Sequence, residues 1–189
     1  MTESDRTRWD RKFSAGEGPA HFQPNRFLTE NRALLTGGRA LDAACGWGGS
    51  ALYLASLGYE VDAVDASGVA LARAQAEARR QGLHLNLVQA DLTRWRVHAA
   101  RYDLVIVFCY LNRKFVAQVA GGLRPGGLLF QMNRNERYLQ VCPGFGPDYV
   151  LAPGELRQLS ESAGLELLSY ADGTPDDPAL TQMIARRPQ

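Results

Sequence analysis

Three acids and a run of glycines carry the chemical promise of this chain. Asp42 and Cys45 stand just ahead of Gly46, Gly48 and Gly49, Asp65 closes the next apolar run, and Asp91 closes the one after. Glycines in a turn admit backbone conformations and close approaches that a Cβ obstructs. A helix starting at such a turn points its unpaired N–H groups at whatever occupies it. Asp65, at the end of a strand, can accept from both hydroxyls of a ribose, or can cap the helix that follows. Asp91 can accept from an exocyclic amine such as adenine N6, or serve as a turn residue. Asp42 can face the amino group of an amino-acid moiety, whose carboxylate suits the adjoining helix N-terminus. Cys45 has no neighbouring His or Lys to activate it and reads as a small buried residue. Gly46-x-Gly48-x-x-Ala51 also fits the dinucleotide fingerprint, with Asp65 near the ~20-residue offset, so NAD stays open as a ligand on this stretch alone.

A second set of polar residues follows the most apolar run, YDLVIVF. It comprises Tyr110, Asn112 and Arg113, with Gln131 and Asn133 after the next strand. None of these is a His, Asp or Glu, the usual general bases that a neutral hydroxyl or protonated amine requires. Glu136 lies in the loop beyond. A soft nucleophile such as a thiol escapes that requirement, and a nearby cation lowers its pKa further. Arg113 is therefore either the source of that field, or a holder of an oxyanion, or a surface residue at a helix start. The histidines, His21, His84 and His98, fall at no metal-ligand spacing. No G-x-S-x-G elbow and no P-loop is present, which removes hydrolase and NTPase readings.

The hydrophobic pattern outlines the elements that must position these groups. Strands are expected at 39–44, 59–64, 83–89, 102–108, 128–132, 165–170 and 180–186. Helices are expected from the glycine turn to Gly58, then at 67–81, 115–123 and 153–163, with glycines at or near their ends. Residues 133–150 read as a long loop, and loops of that length are commonly functional. Strands alternating with helices give a parallel α/β sheet, and the last two strands, lacking a helix between them, must form an antiparallel hairpin. Ligands in such sheets lie beyond the carboxyl ends of the strands, where Asp42, Asp65, Asp91 and Cys109 all fall. Ahead of the core, 1–31 mixes Trp9, Phe13, Phe22 and Phe27 with charges. Helical pieces are expected there at 4–13 and 24–35, as packing or as a lid over the substrate.

Composition bounds the rest. The chain has 189 residues, 46% hydrophobic and 22% charged, with a formal net charge of +1. That predicts one domain, 1–189, with 1–31 as an N-terminal lid or cap segment and 32–189 as the core. The absence of a basic block gives no reason for a nucleic-acid partner. No stretch approaches a membrane span, no signal-peptide core precedes the domain, and three unpatterned cysteines fit a reducing compartment, so a cytoplasmic monomer or homodimer is expected.

LDAACGWGG, VDAVDAS, VQADL, YDLVIVF and LRPGGLLF occur in the order and spacing of the class I S-adenosylmethionine (SAM) methyltransferase motifs. Ala44 stands where that family more commonly has glycine. A narrower resemblance, through Trp9-Asp10-x-x-Phe13, Pro24-Asn25-Arg26-Phe27 and Tyr110-Leu111-x-Arg113, is to the small bacterial tellurite-resistance and thiopurine-type methyltransferases. Asn112 and Gln131-Met132-Asn133 depart from that group's patterns. The resemblance implies a Rossmann-like class I methyltransferase fold with a seven-stranded, mostly parallel sheet and an antiparallel C-terminal hairpin. It implies SAM as cofactor and S-adenosylhomocysteine as product, held by Asp42, Ala43, Cys45, Gly46, Gly48, Asp65, Ala66, Ser67, Asp91, Leu92 and Phe108.

The expected function is metal-free, in-line methyl transfer to a small-molecule acceptor, with Tyr110, Asn112 and Arg113 as catalytic candidates and a sulfur, selenium or tellurium centre as the favoured nucleophile. A non-catalytic SAM-binding module and an NAD-dependent oxidoreductase are the alternatives.

Overall fold

The computed structural model describes residues 3–16 and 21–189, with side chains from residue 6 onward, so part of the expected 1–31 segment lies outside the described residues. The strands are β1 (Arg39–Ala43), β2 (Glu60–Asp65), β3 (Asn86–Gln89), β4 (Tyr102–Phe108), β5 (Leu123–Arg134), β6 (Glu166–Asp172) and β7 (Leu180–Arg186). They form one seven-stranded sheet in the order β3-β2-β1-β4-β5-β7-β6. The β1–β2, β2–β3 and β4–β5 pairs are parallel, while β7 runs antiparallel to β5 and to β6, giving the expected closing hairpin.

The helices are α1 (Glu3–Ser14), α2 (Arg26–Glu30), α3 (Gly49–Ser56), α4 (Gly68–Arg80), α5 (Arg113–Gly122), α6 (Tyr138–Val141) and α7 (Glu155–Ser162). Contacts gather the chain into two compact units, 1–96 and 97–189.

In the first unit, β1 and β2 bury Leu41, Ala43, Ala63 and Val64 completely, and α3 and α4 add Leu54, Ala70 and Ala74. The small residues on α4 let it pack closely: Ala74 lies where a Cβ on Gly48 would come within 3.0 Å of it. In the second unit Leu104, Ile106, Leu129, Phe130 and Met183 are almost wholly buried. Each such large apolar side chain contributes about 1.5–3 kcal/mol on leaving water.

Three segments differ from the sequence expectation, each for a local reason. The expected helix 24–35 is a five-residue α2 followed by a 3-10 turn, Arg32–Leu34, because the Asn31 side chain donates to the Phe27 carbonyl and ends the helix. Strand β5 is much longer than 128–132. It begins at Leu123, bulges between the Tyr102–Leu123 and Leu104–Leu128 pairs, and continues through Asn133 and Arg134 opposite Thr181 and Leu180. The hairpin partner thus keeps a polar stretch extended that reads as loop from its residue types. Within the remaining loop, the short α6 carries no periodic apolar signal.

Candidate active site

In the first unit β1 runs directly into the glycine turn. Ala44 takes a left-handed conformation, φ 61°, and donates its N–H to the Val64 carbonyl at 2.8 Å. Gly48, φ 76°, forms the N-cap of α3, and a Cβ on Gly49 would lie 2.3 Å from the Gln23 carbonyl oxygen. Glycine is therefore required at 48 by conformation and at 49 by the chain segment packed across it.

The two acids of the turn are both buried and differently satisfied. Asp65 accepts from the Gly46 N–H through Oδ2 and from the Ser67 N–H through Oδ1, each at 2.8 Å. Burial raises its pKa, and those backbone donors oppose the rise. Asp42 is only 3% exposed and its Oδ2 has no hydrogen-bond partner. Its pKa is pushed up to about 7, first by burial and then by the Asp65 charge, with the Ala51 N–H pulling the other way. Burial and the same two carboxylates push the Cys45 thiol up, which suits an unreactive thiol.

Beyond the acids, Ala66 and Leu92 are buried, and Ser67 caps α4 through the Ala70 N–H. Asp91 accepts from the Thr93 N–H and hydroxyl at 2.9 and 2.7 Å, so at least one of its oxygens serves the turn.

The N-terminal helix closes over this turn, where the aromatic content of the segment led packing or a lid to be expected. Asp10 accepts from the Ser67 hydroxyl at 2.5 Å and from the Val69 N–H at 3.4 Å, at the N-terminus of α4. Phe13 packs in a cluster with Trp47 and Ala70, joined by Phe22 and Val69, and its ring edge lies 3.6 Å from where a Gly46 Cβ would be. Trp9 stacks on Phe13, and the Arg73 guanidinium lies 4.5 Å from the Trp47 ring centre. The Asn25 N–H reaches the Ser50 hydroxyl at 3.1 Å, fixing the 21–31 segment beside α3.

In the second unit the strand-end pattern recurs. Cys109, just past β4, is left-handed with φ 56° and donates its N–H to Met132 as Ala44 does to Val64. Phe108 ends β4 half-buried. Asn112 is the N-cap of α5, accepting from the Lys114 and Phe115 N–H groups, and its amide donates to the Tyr110 hydroxyl at 3.4 Å. Tyr110 packs edge-on against Phe115.

Arg113 stands at the start of α5, with its charge engaged within the fold. Its guanidinium pairs with Glu155 and donates to the Asp148 and Val150 carbonyls at 2.9 and 3.1 Å. It ties the loop before α7 to the start of α5, and its charge is already matched by a carboxylate. Gln131 and Asn133 are buried neighbours on one face of β5, linked at 3.2 Å. One step further, Asn135, Thr181 and Asp172 form a hydrogen-bonded chain that ends on the Gly154 N–H. Among the described residues no His/Cys/Asp/Glu group has metal-binding geometry, and no helix is long and apolar enough to cross a membrane.

A doubly wound sheet whose first strand ends in such a turn, with a buried acid ending the second, is the architecture of Rossmann-like nucleotide-binding domains. A methyltransferase-domain profile matches residues 40–127. The chain is 30% identical over 158 residues to the ubiquinone biosynthesis O-methyltransferase of Aromatoleum aromaticum (strain DSM 19018 / LMG 30748 / EbN1), across 72% of this chain and 68% of that one. It is 40% identical over 96 residues to the malonyl-(acyl-carrier protein) O-methyltransferase of Enterobacter lignolyticus (strain SCF1), across 48% of this chain. The chain spans only 37% of that relative's length. The structure of TehB from Haemophilus influenzae aligns with a TM-score of 0.72 at 18% identity, over 86% of this chain and 62% of TehB, a likeness of fold.

The chain belongs to the class I SAM-dependent methyltransferases. The cofactor of that family is SAM, and solved SAM-dependent methyltransferases share the fold.

Proposed function

We propose that this protein transfers the methyl group of SAM to a small-molecule acceptor, and that its two units are halves of one methyltransferase domain. The matched family profile, 40–127, crosses the boundary between them. The observation that carries the reading is the turn itself: two buried carboxyl groups, one with an orphan oxygen, beside glycines where a Cβ has no room. A ligand with a cationic amino group and a ribose fits those acceptors. When bound, SAM supplies a methyl carbon made electrophilic by its sulfonium.

The chain's own residues then bind, orient and exclude water. Asp65, already aligned by two N–H donors, has the charge to accept from the ribose hydroxyls, and Ala66 and Leu92 offer an apolar floor for the adenine. Asp42 takes the amino group, and the α3 N-terminus suits the carboxylate. Phe13 and Trp47 keep water from the turn, with α1 as the lid and Asp10 as its latch. The family membership answers the NAD alternative, which explained the first turn alone.

The acceptor we infer is one that needs no general base. Asn112, Gln131 and Asn133 supply none, and Tyr110 is a weakly acidic phenol bonded to the Asn112 amide. Asp172 and Glu155 are each committed to hydrogen bonds within the fold, and Glu136 is exposed to solvent. Thiols and selenium or tellurium anions meet this condition. A carboxylate, already anionic at neutral pH, meets it too, and the relative named for O-methylation of a malonyl group favours that second reading. The test is a chelator-treated acceptor screen that follows S-adenosylhomocysteine release. Turnover with thiols, chalcogen oxyanions or carboxylates is expected. Turnover confined to neutral alcohols or amines contradicts the acceptor class, and no turnover with any acceptor despite tight SAM binding favours the non-catalytic module.

A further inference from the structure

Beneath the glycine turn, two buried carboxyl groups interact with no cation between them. Asp42 has an orphan Oδ2, whereas both oxygens of Asp65 hold a backbone N–H. No ion pair among the described residues includes either acid. The groups around them supply no counter-charge. Cys45 is a neutral thiol, and Asp10 is a further carboxylate turned toward Ser67 and Val69. Helix α3 presents the Ala51 N–H to Asp42 and carries Tyr53 as its single titratable side chain. Helix α4 brings Arg73, which lies over Trp47. Two carboxylates removed from water without a cation are mutually destabilising, and the one with fewer donors takes a proton.

We propose that Asp42 is a proton-exchanging selector of the cofactor turn: the free protein holds a proton on it, and the cationic amino group of the ligand displaces that proton to solvent. The Asp42 O–H bond breaks, the proton passes to the buffer, and the freed carboxylate accepts an N–H from the ligand's ammonium. The proposal rests on the reading of this turn as the SAM site. Two properties follow. The turn discriminates in favour of ligands that carry a cationic amino-acid moiety, and their affinity falls as the solution becomes acidic. The raised pKa of Asp42, about 7, places this exchange near neutrality, and Asp42 rather than Asp65 is the site because two N–H donors stabilise the Asp65 anion.

The experiment is calorimetric titration of the full chain with S-adenosylhomocysteine in phosphate and in imidazole at pH 6, 7 and 8. Buffers of different ionisation enthalpy reveal protons released on binding. Roughly half a proton per ligand is expected at pH 7 and close to one at pH 6, with affinity about tenfold weaker at pH 6 than at pH 8. A nucleoside lacking the amino-acid moiety, 5′-methylthioadenosine, should bind without release, and Asp42→Asn should bind S-adenosylhomocysteine with neither release nor the pH slope. The wild-type titrations stand alone if that variant folds poorly. Binding of S-adenosylhomocysteine with pH-independent affinity and no buffer-dependent heat overturns the proton linkage and leaves the methyltransferase reading intact. No binding at any pH overturns the reading of the turn, and this proposal with it.

Discussion

At the scale of single residues, the turn combines strain with unbalanced charge. Ala44 is the only residue of the turn held left-handed with a Cβ, since its positive-φ companions Gly46 and Gly48 are glycines. A left-handed conformation costs a non-glycine residue about 1–2 kcal/mol, while the extra freedom of glycine in the unfolded chain returns about 0.4–1 kcal/mol of that. Ala44→Gly is therefore expected to raise stability by up to about 1 kcal/mol in urea denaturation, and a clear loss would show that the Ala44 methyl packs usefully. Asp42 makes a second, pH-dependent prediction. Its carboxyl titrates near ~3.9 in an unfolded chain and at about 7 in the fold, so the fold favours the protonated form. The stability this confers is complete at low pH and is lost as pH rises from ~4 through ~7, by at most about 4 kcal/mol. Asp42→Asn should flatten the ligand-free stability profile across that window. An unchanged slope would mean that another group titrates there.

At the scale of elements, α1 and the loop before α7 are each fastened by one polar side chain. Asp10 fastens α1 to the N-terminus of α4, and aromatic packing of Phe13 on Trp47 completes the contact. Asp10→Ala removes the charged acceptor of the Ser67 hydroxyl and the Val69 N–H, which costs about 1.5–3 kcal/mol. As a lid, α1 should then open more often, lowering turnover with little effect on the affinity for S-adenosylhomocysteine. Equal losses in both, measured by steady-state kinetics and calorimetry, would make α1 part of the cofactor site and not a lid. Arg113 is the corresponding fastener in the second unit. Arg113→Ala should leave cofactor affinity unchanged and speed amide hydrogen exchange at 148–155, because three backbone and carboxylate acceptors lose their donor. Unaltered exchange there would show that the loop is held by other contacts.

At the scale of the whole molecule, the alternation of elements and the glycine turn were legible in the sequence because each depends on near neighbours. Helical periodicity, terminal glycines and the apolar run YDLVIVF report their own conformation, and strand-end acids follow from counting. What sequence could not supply were partners distant in the chain. The polar end of β5 stays extended because β7 lies beside it, 46 to 50 residues along the chain. Arg113 meets Glu155 at a separation of 42 residues, a contact that neighbouring residue types do not reveal. Asp10 meets Ser67 at a separation of 57 residues. Asn112 and Gln131, the departures from the narrower resemblance, prove to be a helix cap and a buried strand residue.

The account turns on the claim that Asp65 and the glycine turn hold the cofactor. Calorimetric titration of wild type and Asp65→Ala with S-adenosylhomocysteine tests it most directly, once circular dichroism has shown that the variant is folded. Loss of charge-assisted hydrogen bonds to the ligand should weaken binding by roughly 1.5–3 kcal/mol, about ten- to a hundredfold. Unchanged affinity in the folded variant would remove Asp65 from the site and contradict the account.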